Sequence, residues 1–114
     1  MTATPRIAHD DSLRRMVAEM VAGQPGMREA KMFGCPAFFL GRRLVACIYE
    51  AEVGVKLPEA RVLSLLARDD VTPFQPYGKA TMREWIAVHP REGNRAFLTT
   101  VLLEATDYAR IRAT

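Results

Sequence analysis

Residues 31–50, KMFGCPAFFLGRRLVACIYE, decide the fold. Two apolar runs, 37–40 and 44–49, are rich in aromatic and β-branched side chains and stand either side of Gly41-Arg42. Glycine tolerates the positive φ that tight loops require, so the stretch reads as a β-hairpin with a two-residue loop.

Working outward, residues 29–33 precede this hairpin and 53–57 follow it, both short and both joined to it by a few turn-forming residues. Val53, Val55 and Leu57 alternate with Gly54 and Lys56, as expected of a strand with one buried face. Glu50-Ala51-Glu52 supplies the last turn of a four-stranded antiparallel meander.

Upstream, Leu13, Met16, Val17, Met20 and Val21 form the stripe of a helix over 10–22, with Asp10, Asp11 and Ser12 at its positive end and Gly23, Pro25 and Gly26 stopping it. Downstream, Pro58 fits the first position of a second helix, whose stripe of Val62, Leu65 and Leu66 ends at Asp69-Asp70. Residues 71–77 read as a strand or loop interrupted by Pro73 and Pro76, and 82–88 as a strand around Trp85 and Ile86. His89-Pro90 is expected to open a final helix through 112, about 35 Å long at about 1.5 Å per residue. The order α-β(4)-α-β(2)-α predicts a two-layer α+β domain, an antiparallel sheet with the helices on one face, and a single domain over 1–114.

With 49% apolar and 25% charged residues the chain has an ordinary globular composition. No apolar run approaches the ~20 residues of a membrane span. The first residues, MTATPRIAHDDS, lack the pattern of a secretory signal, so a cytoplasmic protein is expected. The net charge is +3. Thirteen of the sixteen cations are arginine and are scattered among acids, which favours a solvated surface over a dedicated phosphate-binding patch.

The chemistry-bearing residues argue against most enzymes. Cys35 and Cys47 lie twelve apart, unlike zinc-ligand spacing, and only His9 and His89 could join them. No metal and no cofactor are therefore expected. A two-residue loop puts the two sulfurs on opposite faces of the hairpin and a three-residue loop puts them opposite one another; the commoner loop favours free thiols. Cys35 in its Gly-Cys-Pro corner lacks a visible base and orienting partner. Gly78-Lys79-Ala80-Thr81 resembles the end of a phosphate loop, but Pro73 stands where its first glycine belongs. Glu50, Glu52 and Asp69-Asp70 occupy turn and helix-end positions typical of solvated carboxylates, and no catalytic residues are assigned.

Trp85 and the tyrosines raise a nucleic-acid alternative. Arg42, Arg43, Lys79 and Arg83 would approach one another if the hairpin tip and the loop before the last strand share an end of the sheet. Trp85 itself reads as a core or dimer-interface residue.

Lys31-Met32-Phe33-Gly34, the strand ending in Gly41-Arg42, the run Leu44-Val45-Ala46-Cys47-Ile48, Val55-Lys56-Leu57, Phe74 with Tyr77-Gly78-Lys79, and Met82 with Trp85 together resemble the N-terminal domain of TfoX/Sxy competence regulators over residues 10–110. The resemblance implies a two-layer fold like that of YjbR-like proteins and type III secretion chaperones, and a regulatory role without catalysis. It assigns structural importance to Met32, Phe33, Gly34, Gly41, Tyr77, Gly78 and Trp85. Gly34-Cys35-Pro36 departs from the family's usual small or polar residues, so Cys35 inherits no family role. The family's full-length regulators carry a second, helical C-terminal domain, which is expected to be absent from this chain.

Strands 37–40 and 44–49 are apolar on both alternating sets: Phe38 and Leu40 against Ala37 and Phe39, Val45 and Cys47 against Ala46 and Ile48. Helices on one face would leave the other set as an interface, so a protein partner or a second copy of the chain is expected, with nucleic acid as the alternative and no membrane.

Overall fold

A computed structural model describes residues 10–32, 34–78 and 82–112. Helix α1 (Asp11–Val21) leads into strands β1 (Met27–Met32), β2 (Cys35–Leu40), β3 (Arg43–Tyr49) and β4 (Glu52–Lys56). Helix α2 (Glu59–Leu65), strand β5 (Val71–Pro73), a 3₁₀ turn (Pro76–Gly78), strand β6 (Trp85–Val88) and helix α3 (Arg95–Arg112) follow. The strands form one six-stranded sheet in the order β1-β2-β3-β4-β6-β5. Every pairing is antiparallel, and the fold is the expected α+β one.

Helix α1 starts where its cap chemistry dictates: the Asp10 carboxylate accepts from the backbone N–H groups of Ser12 and Leu13 at 2.9 and 3.2 Å. Its buried residues Leu13, Val17 and Val21 join Val62 and Leu65 of α2 and Leu98, Val101, Leu102, Ala105 and Ala109 of α3 in one core. That core lies on the sheet face carrying Phe38, Leu40, Ile48, Val53, Val55, Ile86 and Val88. All three helices therefore cover the same face.

Several sequence expectations need correction. The loop does have two residues, Leu40 pairing Arg43 and Phe39 pairing Leu44, but the register then shifts so that Phe38 pairs Ala46. Val45 is the extra residue of a β-bulge and packs with Ala46 and Ile48 on the helix face. Cys47 consequently pairs with Ala37, and Cys35 and Cys47 project to the same face rather than to opposite ones. Both remain free and buried.

The second correction concerns α3, which begins at Arg95, not at Pro90, and spans about 27 Å over its 18 residues. Asn94 competes successfully with Pro90 for the start. Its side-chain oxygen accepts from the Arg91 N–H at 2.9 Å, and its carbonyl accepts from the Leu98 N–H at 3.0 Å. The last strand likewise begins at Trp85 rather than Met82, and β1 begins at Met27 rather than Glu29.

Asp70 also departs from expectation: it is 3% exposed, not a solvated helix terminator. Arg68 donates to both its oxygens at 2.8 and 2.9 Å, and Asn94 Nδ2 donates to Oδ2 at 2.9 Å. The Asp70 carbonyl accepts from the His89 N–H. One buried carboxylate thus ties the end of α2 to the exit of β6 and the start of α3.

Candidate functional site

The face without helices is built over a line of small residues. The register places Ala37, Cys47, Gly54 and Ala87 side by side across β2, β3, β4 and β6, which leaves a trough along the middle of the sheet. Phe74, on the chain leaving β5, lies in that trough, and a Cβ built on residue 54 would meet its ring at 2.7 Å. Trp85 stands beside it with ring centroids 5.5 Å apart. Phe74, Trp85, Ala37, Cys47 and Ala87 form a second core, with Met32, Phe39, Leu44, Tyr49 and Met82 partly buried around it.

The Pro76–Gly78 turn brings Tyr77 over this face. Tyr77 adopts φ 59°, in the left-handed region that disfavours a bulky side chain, and Gly78 continues the turn at φ 73°. Among the contacts that hold Tyr77 there, its N–H donates to the Tyr49 hydroxyl at 2.9 Å, and its own hydroxyl lies 3.7 Å from Cys35 Sγ. The Tyr49 and Tyr77 rings meet edge to face at 5.3 Å. Between the Tyr77 turn, the sheet and Met82 lies a cavity of about 170 Å³, whose walls include Met32, Cys35, Leu44, Cys47, Tyr49 and Trp85.

Its titratable groups among the described residues are thiols and phenols. Burial, reinforced by the neighbouring Cys35, pushes the Cys47 thiol up to about 12. The hydrogen bond with Cys35, then burial, pushes the Tyr77 phenol up to about 12. At neutral pH both groups hold their protons, the opposite of what an activated nucleophile needs.

A second constellation lies on the same face. Thr72 Oγ1 is 2.7 Å from His89 Nε2, and His89 Nδ1 faces Glu52 Oε1 at 3.9 Å. Hydroxyl, imidazole and carboxylate in that order are the components of nucleophilic catalysis. The 3.9 Å gap is too long for a hydrogen bond, so Glu52 does not fix the ring as that chemistry requires. Burial raises the Glu52 pKa despite the opposing effect of His89. Nothing in the sequence alone pairs His89 with Thr72 or Glu52. The signal was the shared parity of Glu52 with Gly54 and of His89 with Ala87, informative only once β4 is known to pair with β6.

The remaining sequence candidates fall into two groups. Met32 and Trp85 line the cavity; Gly34 and Gly41 take positive φ, 84° and 63°, at the two corners of β2. Arg42, Arg43 and Arg83 are exposed, and the pairings of β3 with β4 and of Lys56 with Trp85 put all three at one end of the sheet. Phe33 and Lys79 lie outside the described residues. Trp85 is buried and lies on the face opposite Ile86, which fits a core position and not an open stacking platform.

Comparison with known proteins returns no matching family model, no matching curated protein and no matching solved structure.

Proposed function

We propose that this protein is a small regulatory, protein-interaction module without catalysis of its own, and that the helix-free face of its sheet is the recognition surface. The observation that carries this reading is the composition of that face. Met32, Phe39, Leu44, Tyr49 and Met82 remain partly exposed there, and Tyr77 is 46% exposed, where an antiparallel sheet facing only water would carry polar side chains. The protonated, buried thiol of Cys47 supports holding rather than transforming. The resemblance to the TfoX/Sxy N-terminal domain agrees with such a role.

A second copy of the chain is the first partner to test. Light scattering over a concentration series should show association that Leu44→Glu abolishes while leaving the unfolding transition in place. A protein that is monomeric throughout, or association indifferent to Leu44→Glu, would remove self-recognition through this face.

The second reading, a nucleic-acid-binding regulator, is favoured by Arg42, Arg43 and Arg83 at one end of the sheet. Titration against labelled duplex and single-stranded DNA at low and physiological salt tests it. Binding that survives moderate salt and is lost on charge reversal at Arg42 and Arg43 supports it; low-salt association indifferent to those residues dismisses it.

A further inference from the structure

The interior of a folded protein is packed nearly as tightly as an organic crystal, and large-to-small vacancies are destabilising. The helix-free face departs from that rule in a built way. Phe74 fills the trough over Gly54, but beside its ring, over Cys47, a vacancy remains, and an aromatic residue in a strained left-handed conformation, Tyr77, forms part of its wall. Backbone strain held by specific contacts, here the Tyr49 hydroxyl on the Tyr77 N–H, concentrates where a protein does something beyond folding.

The size and lining of the cavity define what it accepts. At about 170 Å³ it matches the engineered apolar cavities of about 150 Å³ that stay dry and take up a benzene molecule. No Asp, Glu, Lys, Arg or His among the described residues lines it, so none of the described lining residues would pair the charge of an ionised ligand. Four aromatic residues line it, Tyr49, Phe74, Tyr77 and Trp85, and they offer the offset and edge-to-face geometries that aromatic pairs prefer. The sulfurs of Met32 and Met82 add polarisable contacts that favour a ring edge. The Tyr77 hydroxyl and the Cys35 thiol provide one polar corner.

We infer that this cavity is a binding site for a small uncharged aromatic molecule of about one ring bearing at most one polar group. The inference rests on the reading of the helix-free face as a recognition surface. Occupancy would tie the Tyr77 turn to the sheet and so couple the ligand to the shape of the surface a partner meets. The site holds its ligand by shape and dispersion, and no bond in the ligand is made or broken.

Trp85 is the only tryptophan of the chain and lines the cavity, so its fluorescence reads the site directly. The probes are toluene and benzyl alcohol, with benzoate as the charged counterpart. The expected result is a saturable change of Trp85 emission with toluene and benzyl alcohol, and binding of benzoate at least roughly tenfold weaker because no ionisable side chain among the described lining residues would pair its charge. Cys47→Leu, which adds bulk to the cavity wall, should abolish the response, and Met82→Phe should do the same should the first variant fail to fold. Intermolecular nuclear Overhauser effects from toluene to Tyr77 and Trp85 locate the probe independently of any variant. No saturable response in the native protein, contacts located elsewhere, or an unchanged response in a folded filled variant would overturn the proposal. Probe binding by a protein that never self-associates would remove only the self-recognition reading; association lost in Leu44→Glu without any probe binding would remove only the ligand.

Discussion

Phe74 occupies the space that a side chain on residue 54 would fill: a Cβ there would lie 2.7 and 2.8 Å from two atoms of the ring. Gly54 is thus required by the neighbour above it and not by its own backbone. Gly54→Ala should destabilise the protein by about 1–3 kcal/mol, the usual cost of overpacking a filled interior. Phe74→Leu, which removes the offending ring edge, should recover part of that loss in the double variant. Denaturant unfolding of the two single variants and the pair checks this, and strictly additive costs would contradict it.

Asp70 is expected to weaken the fold in acid. Arg68, then Asn94, hold its carboxyl well below its ordinary 3.8. The folded pKa is below the unfolded one, so the contribution is complete above about pH 4 to 5 and is lost as pH falls further. Asp70→Asn should cost about 2–3 kcal/mol at neutral pH, the scale of hydrogen bonds to a charged group. The stability gap between native protein and variant should be flat from pH 7 to 5 and close below about pH 4; a gap that persists unchanged at pH 2 would contradict the assignment.

The two thiols should be silent in the folded protein and available once it unfolds. With Cys47 pushed up to about 12, its thiolate fraction at pH 8 is negligible, and both sulfurs are buried. A colourimetric thiol titration should find two reactive groups in denaturant without reductant, and slow reaction under native conditions. Near-zero stoichiometry in denaturant would mean that the pair is oxidised.

Two corners with positive φ should respond with opposite signs. At Gly34, φ is 84° and no neighbour among the described residues stands within 4 Å of where a Cβ would sit, so Gly34→Ala should cost about 1 kcal/mol from backbone conformation alone. Glu50 at φ 55°, in the β3–β4 turn, is a non-glycine residue that already bears that strain. Glu50→Gly should therefore be neutral or stabilising by up to about 1 kcal/mol, the left-handed strain relieved less the added chain entropy. Thermal unfolding of both variants decides the signs.

What could be read from the chain was whatever a single element encodes. The stripe from Leu13 to Val21 with Asp10 before it, and the Gly41-Arg42 turn, each carry their own local instructions. The bulge at Val45 left no trace because residues 44–48 are apolar without interruption, so no alternation was present for an extra residue to break. The start of α3 was misplaced because Pro90 is a good local signal, while Asn94 wins through the buried carboxylate of Asp70, twenty-four residues earlier in the chain. The cavity was illegible for the same reason: its walls come from Met32, Tyr49, Tyr77 and Trp85, on separate strands and a turn, and only the strand order brings them together.

The two borders of the sheet are unlike, and this limits how the molecule can assemble. β5 is three residues long and ends in Pro73, which has no N–H to offer a neighbouring strand. β1 is six residues long, pairs among the described residues on one side only, with β2, and carries Arg28, Glu29 and Lys31. Among the described strands, β1 alone offers a border suited to sheet extension. Two chains joined border to border through β1 would form a closed pair, with no second matching border left from which a filament could grow.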